Sequence, residues 1–379
     1  MEQDYFCDGL TEEIITALSR FKALFVIARN SSFTYKSKAV DVRQIGRELG
    51  VRYVLEGSVR KLGHRVRITG QLIESATGTH IWAERYDGNL DDVFSLQDEI
   101  TASVVAAVEP TVTAAEIARA KQKKTENLNA YDLYLRAMAD TYDLRAATYE
   151  RAEGLLRSAI EQDSNYSDAL AALADCLARA ALNGWKDFAP AVQEASEFAR
   201  RSILAEPDNG RALAIAAWIY ANLQGRHKEA RELAERALRS HPNSSMVRAL
   251  TGWALLYCGK IEAAMELFVA SQRMNPVDPL VRIATNGIGA AHFFAREFQE
   301  SVEWNERVLQ TTPGSTVAMR YLAAALAHLG RVSEAKEIIA RLLRSQPNSS
   351  LSRSRQSAFE HQWMLDLYLD GLRRAGLPE

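Results

Sequence analysis

The chain has 379 residues, 47% of them hydrophobic and 25% charged, with 46 Lys+Arg against 48 Asp+Glu for a net charge of −2. That length holds two or three domains and that apolar share fills a core. The near-neutral balance excludes a global electrostatic pull toward nucleic acid or anionic membrane. Cys7, Cys176 and Cys258 stand far apart with no CxxC pair, so they read as reduced, partly buried thiols and not as zinc or redox ligands.

The N-terminus, MEQDYFCDGLTEEI, lacks a basic start followed by an apolar run, so no signal peptide is expected. Residues 11–20 read as a helix with Thr11 as N-cap and Glu12 and Glu13 at its positive end. A strand is expected over LFVIAR at 24–29, then a polar turn, then a helix over 41–49 stopped by Gly50. Three strands come next, over 51–60, 64–73 and 80–86, the first two joined at Gly63 as a hairpin. Val66, Ile68 and Leu72 share one face of the second strand, and Arg65, Arg67, Thr69 and Gln71 share the other, which describes a sheet with one wet face. Asp91 and Asp92 open a long amphipathic helix carrying Phe94, Ile100, Val104 and Val108, with a break expected at Pro110. Residues 1–120 thus read as a small α+β domain, and 121–129 (KQKKTENLN) as a charged linker.

Beyond the linker the pattern is helical. Pro242, Pro276, Pro313 and Pro347 fall 34, 37 and 34 residues apart, with Pro207 a further 35 upstream, each closing a helical stretch. The period of about 34 is that of a tetratricopeptide (TPR) helix pair. Small or well-packed residues recur where helices cross, because bulk there would force them apart. They are Ala217, Ala230, Ala234 and Ala237 in the third pair, and Gly252, Ala264, Phe268 and Ser271 in the fourth. The sixth has Ala323, Ala335, Ile339 and Leu342. The second pair keeps Ala195 and Ala199, but residues 183–190 are expected to lengthen its inter-helix turn by about nine residues. The first keeps Ala152, Leu156 and Ala159, with Ser164 in place of proline. About six pairs over 130–356 are expected, with a capping helix in 357–379 covering the last exposed face. The fold class is an α+β N-terminal domain followed by an all-α TPR solenoid. The longest apolar patch, LAIAAWIYANL at 213–223, falls short of the roughly 20 residues a span needs. No membrane span is expected, and a cytoplasmic location is.

The stretch FVIARNSSFTYKSKAVDVRQIGRELGVRYVLEGSVRKLGHRVRITGQLIESATGTHIWAERYDGNLDDVFSLQDEI resembles the bacterial TolB-amino-terminal-like (FlgO-related) domain, which is found fused to TPR arrays. With the ending GLRRAGLPE, the combination resembles the C-terminal half of bacterial class III adenylate/guanylate cyclases. Related chains carry a winged-helix or protein kinase domain ahead of this region. The resemblance implies a signalling protein whose output domain lies upstream. Family members begin with an apolar strand before the YFxDGLTEEI segment, and Met1 stands where that strand should end. The cyclase metal-binding aspartates and purine-selecting residues have no counterpart here.

No catalytic, cofactor-binding or metal-binding residue is expected. The seven histidines show no HxxxH or HExxH spacing, and neither GxxxxGK[ST] nor GxSxG occurs. Glu12–Glu13 and Asp91–Asp92 sit at expected helix starts, where capping accounts for them. Arg60, Lys61, Arg65 and Arg67 read as a solvated sheet face without interleaved aromatics, so no nucleic-acid partner is expected. The inner helices of the array supply the candidate binding surface. Counting pairs from Gly210, Ser245, Pro279 and Thr316, its groove-facing positions are Trp218, Asn222, Met246, Trp253, Tyr257, Ile283, Arg320 and His328. Such residues suit a protein or peptide partner, as an apolar helix or extended strand. The competing reading packs the Trp and Tyr side chains between adjacent helices. The expected role is a non-catalytic interaction or regulatory module. The alternatives are the regulatory part of an adenylate cyclase and that of a transcriptional regulator.

Overall fold

In the computed structural model, described for all residues except 1, 20, 22, 23, 25, 37, 63, 64, 90–92, 123–128, 142–144 and 275–280, the chain divides into two units, Met1–Glu116 and Ile117–Glu379. The first holds an antiparallel sheet in the order β1 (Tyr53–Leu62), β2 (Arg65–Glu74), β3 (Thr79–Asn89). Its period-two pattern works as alternation requires: Val66, Ile68 and Leu72 of β2 are buried, while Arg65, Arg67 and Thr69 are exposed. Helices α1 (Glu2–Leu18) and α4 (Val93–Gln122) supply Leu10, Leu18, Ile100, Val104 and Val108 to the same core. A side chain at Gly88 would bring its Cβ to 2.4 Å from Leu96, so the glycine permits the close approach of α4 to β3. Ahead of the sheet lie α2 (Arg29–Ser32) and α3 (Val42–Leu49). The Asp41 carboxylate caps α3 by accepting from the Arg43 amide at 2.7 Å, and Gly50 closes it in the left-handed region at φ 65°.

Several expectations for this unit are corrected. Helix α1 runs through Thr11, whose hydroxyl donates to the Cys7 carbonyl at 2.8 Å and caps nothing. No strand occurs among the described residues of 24–29. Pro110 does not break α4. A mid-helix proline costs about 3 kcal/mol, but Val104, Val105, Val108 and Val112 are buried on both sides of it, and that burial holds the helix together. The window Ser95–Ile117 of α4 is also long and apolar enough to cross a membrane by length and composition, contrary to the expectation that no stretch reaches that length. In this fold Leu96, Ile100, Val104, Val105, Val108 and Val112 of that window share one core with Val66, Ile68 and Leu72 of the sheet. Gly63, His64, Asp91, Asp92, Pro276, Pro279 and most of the linker lie outside the described residues.

The second unit contains successive antiparallel helix pairs. These are α5 (Ala130–Thr141) with α6 (Ala146–Gln162), α7 (Ser167–Leu182) with α8 (Phe188–Ala205), and α9 (Gly210–Gln224) with α10 (His227–Ser240). There follow α11 (Ser245–Tyr257) with α12 (Ile261–Met274), α13 (Val281–Phe294) with α14 (Phe298–Thr311), and α15 (Thr316–His328) with α16 (Val332–Ser345). The chain closes with α17 (Leu351–Ser354) and α18 (Gln362–Arg374). The first helix of each pair is the inner one and the second the outer one.

Four of the outer-helix ends have a local cause in common. Pro207, Pro242, Pro313 and Pro347 directly follow the C-cap residues of the outer helices α8, α10, α14 and α16. Two residues later Asn209, Ser244 and Ser315 cap the next inner helix, accepting from the amides of Ala212, Val247 and Ala318. Between the helices of a pair the backbone turns through the left-handed region at Gly225, Gly259, Arg296 and Gly330. These positions step by 34, 37 and 34 residues, as the prolines do. The second pair does not carry a nine-residue insertion in its turn. Its link is the five residues 183–187, and its extra length goes mainly into α8, with 18 residues where α10 has 14.

Close crossings use the smallest residues. The fully buried Phe268 ring of α12 lies between two glycines, because a Cβ at Gly252 would approach it to 2.7 Å and one at Gly287 to 2.3 Å. Gly252→Val should therefore lower unfolding stability by about 1–3 kcal/mol through overpacking, and an unchanged denaturant midpoint would contradict that packing. Arg296 holds a left-handed φ of 62° where the second, third, fourth and sixth pairs use Gly184, Gly225, Gly259 and Gly330. Because that conformation costs a non-glycine residue roughly 1–2 kcal/mol, Arg296→Gly should raise the melting temperature by a few degrees in a thermal scan.

Candidate functional site

Helix α9, with the sequence GRALAIAAWIYANLQ, is apolar nearly all round, and a helix of that kind must be covered on more than one side. It packs against its outer partner α10, against the outer helix α8 and against the neighbouring inner helices α7 and α11. The groove expected along the inner helices is closed by the chain itself. Trp218, Asn222, Trp253 and Tyr257 are 6%, 1%, 8% and 8% exposed, while Met246, Ile283, Arg320 and His328 are half-buried. Trp253 donates from Nε1 to the Ile283 carbonyl at 2.9 Å and packs against Tyr257, Phe268 and Tyr321. Trp218 instead lies under the Arg179 guanidinium, 5.0 Å from the ring centre. Arg320 donates to the Gln346 side chain at 2.8 Å, and His328 stacks on Phe298 at 4.7 Å while its Nε2 bonds the Leu367 carbonyl. Trp253, Ile283 and Tyr257 are thus brought together, with the Arg320 guanidinium beside Tyr257, and Trp218 and His328 serve separate contacts.

The surface is closed by the segment after the last pair. Asn183, in the turn of the second pair, accepts from the side chains of Gln346 and Thr316, so the second pair meets the sixth. From there residues 355–361 run without regular structure across the C-terminal ends of α9 and α11. The Ala358 amide donates to the Asn222 carbonyl at 2.8 Å, and the Glu360 amide donates to the Tyr257 carbonyl at 2.9 Å. Phe359 stacks on Tyr257 at 4.9 Å and meets Phe294 at 5.1 Å. His227 Nε2 bonds the Ala358 carbonyl at 2.7 Å, and Arg231 pairs with the Glu360 carboxylate. Helix α18 then packs on α15, with Tyr368 against Tyr321 and Gly371 against Ala324. Sequence reasoning missed Phe359, Glu360, His227 and Arg231. The available signal was an aromatic residue stranded between Pro347 and the last helical pattern, with no helix of its own.

A second concavity of about 860 Å³ opens on the other side, between α8 and α10. Phe188, Val192, Tyr220 and Leu233 line it, Leu204 stands 66% exposed beside them, and the charges Arg200–Glu197 and Arg226–Glu229 pair with each other along the rim. On the sheet, Arg67 is held by Asp87 at 2.6 Å. No group of three or more His, Cys, Asp or Glu side chains that could hold a metal ion occurs among the described residues.

Comparison with known proteins divides the chain in the same way. Residues 1–103 match the model of the HilA/YgeH-like transcriptional regulator, second domain. That match replaces the TolB-like assignment expected for this region. Tetratricopeptide repeat models match residues 186–245, 250–316 and 296–355, so these residues carry TPR repeats. Over 189 residues the chain is 45% identical to the "putative adenylate cyclase 3" of Rhizobium meliloti (strain 1021), covering 50% of this chain. The matched stretch spans 32% of that protein's length. Among solved structures, a human IFIT1 dimer with m7Gppp-AAAA superposes at a TM-score of 0.48 with 19% identity, covering 57% of this chain and 50% of that one. The Pseudomonas aeruginosa PilF structure reaches a TM-score of 0.37 at 21% identity, covering 60% of this chain and 96% of that one. YrrB, described as a TPR protein with an unusual peptide-binding site, reaches 0.32 at 18%, covering 51% and 93%.

The closed core also sets how stability responds to pH. Burial pushes the Cys176 and Cys258 thiols up to about 12 and about 11, and the Tyr149 hydroxyl up to about 12. These groups keep their protons in the folded protein and release them from pH 9 to 10 upward once unfolded, so their contribution is complete below about pH 9 and is lost as pH rises. The melting temperature should fall steadily between pH 9 and 11, and Cys176→Ala with Cys258→Ala should flatten the slope. A melting temperature that is constant over that range would contradict this burial.

Proposed function

We propose that this chain is a non-catalytic protein-interaction and regulatory module of a bacterial signalling protein, acting in the cytoplasm, in which the repeat array scaffolds a protein or peptide partner. The observation that carries this is the array: helix pairs with matching prolines, caps and left-handed turns, and TPR matches across residues 186–355. Repeat arrays of this kind present long surfaces assembled from equivalent positions, and such surfaces suit partner binding. No nucleic-acid partner belongs to this reading; the net charge of −2 and the pairing of Arg67 with Asp87 support that.

Two observations favour finer readings of the signalling context. The 45% identity to a protein named as an adenylate cyclase supports a regulatory part of a cyclase. The match of residues 1–103 to a transcriptional-regulator domain supports a regulatory part of such a regulator. Both leave the interaction role of the array unchanged.

The purified chain incubated with ATP and Mn²⁺ or Mg²⁺ should yield no cyclic AMP above a protein-free control; cyclic AMP that scales with added chain overturns the non-catalytic assignment. The immobilised full chain should retain a defined bacterial protein that, once purified, forms a stoichiometric complex in calorimetry. If none of the retained proteins does so, the interaction reading fails.

A further inference from the structure

The segment crossing the inner-helix ends is bound in the manner of a ligand. The last four carbonyls of a helix have no intrahelical donor. Here two of them, Asn222 of α9 and Tyr257 of α11, occupy successive repeats 35 residues apart. Two residues of one short irregular stretch, Ala358 and Glu360, donate their amides to these carbonyls. The residue between them, Phe359, goes into an aromatic recess made by Tyr257, Phe294 and Tyr368. His227 and Arg231, four residues apart on one face of α10, take the Ala358 carbonyl and the Glu360 carboxylate. The main chain, one aromatic side chain and one carboxylate are each met by a separate group of the array. That division, with main-chain bonds giving affinity and side-chain recesses giving specificity, characterises recognition of an extended peptide.

The segment is held only on its inner side. Ala358 and Phe359 are half-buried, and Glu360, His361 and Gln362 are exposed. Trp363 is 41% exposed at the start of α18. Beneath the segment, the Asn222 side-chain oxygen is buried and accepts nothing from the described residues. Helix α18, by contrast, is anchored through the buried Met364 and Leu372, so residues 357–361 can lift while the helix that covers α15 stays in place.

We propose that the ends of α9 and α11, with His227 and Arg231 of α10, form a peptide-recognition strip for an aromatic residue followed by a carboxylate, and that residues 357–361 are its built-in competitor. The external ligand is a partner peptide of the same chemistry, which binds by displacing the chain's own Phe359 and Glu360. This rests on the array being a partner-holding module and names the chemistry of what it holds.

The test uses a fluorescein-labelled peptide of residues 355–362 (RQSAFEHQ) and the full chain. A tethered segment competes at an effective concentration of order millimolar, so the wild-type chain should bind the peptide weakly in anisotropy titrations. Phe359→Ala, checked for folding by its melting curve, should bind it about tenfold tighter or more. Should that variant fail to fold, Glu360→Arg alters an exposed residue, places like charge against Arg231 and should give the same gain. A peptide carrying F359A should not bind any of them, and Arg231→Glu added to Phe359→Ala should remove the gain. A folded variant that binds the peptide no better than wild type overturns the proposal. Dimerisation of the variants in light scattering, in place of peptide uptake, would assign the strip to a second copy of the chain and likewise overturn it. If the variants take up peptide while the full chain forms no partner complex, the wider interaction reading fails and the strip stands.

Discussion

The second unit is governed by one requirement: its inner helices are too apolar to leave any long side exposed. Helix α9 buries every residue from Ala212 to Leu223, and α15 buries Ala318, Met319 and Tyr321 to Ala327. An open solenoid covers such helices on the side of their partners and leaves the other side to water. That would expose Trp253, Tyr257 and Phe294 as one patch, and patches of that size are filled in stable monomers. Here the filling comes from within the chain. The meeting of Asn183 with Gln346 and Thr316, the crossing of residues 355–361 and the seating of α18 on α15 are three parts of the same closure.

The same requirement explains the choice of small side chains. Where a helix is packed on several sides, its neighbours must come close, and alanine and glycine set the distance. Phe268 shows the limit, because its ring fills space that Gly252 and Gly287 leave free, and neither glycine has room for a methyl group. Two serine hydroxyls buried at these crossings turn inward to backbone carbonyls. Ser271 donates to Ser245 and Ser301 to Gly289, so each satisfies its own donor inside the core.

The features legible in the sequence were those that local chemistry decides. Pro207, Pro242, Pro313 and Pro347 each follow the end of an outer helix, and Asn209, Ser244 and Ser315 cap the next inner helix, so the period was visible without a structure. Asp41 and Gly50 bounded α3 for the same reason, and alternation in β2 sorted Val66 and Ile68 from Arg65 and Arg67. Failures came where distant packing overrode a local signal. Pro110 signals a break, but valines on either side of it are buried against the sheet. Thr11 resembles a cap, yet α1 begins well before it. The eight proposed groove residues were placed on the right helices, but nothing near them in sequence announces that residues more than 100 positions later cover Asn222 and Tyr257.

That closure changes what the array can be asked to do. Carbonyls near the C-terminal ends of α9 and α11, at Asn222 and Tyr257, lie close enough for one short stretch of chain to satisfy both. An extended peptide is therefore the natural occupant of these helix ends, in contrast to the amphipathic helix that an open apolar groove would take. The chain's own Ala358–Glu360 stretch already satisfies the geometry, so any partner must beat a tethered competitor and must supply an equal set of contacts. Selectivity then arises from what the competitor displays. A peptide with the aromatic residue but no carboxylate leaves Arg231 without its pair, one with the carboxylate but no aromatic residue leaves Tyr257 and Phe294 uncovered, and only a ligand with both matches what it displaces.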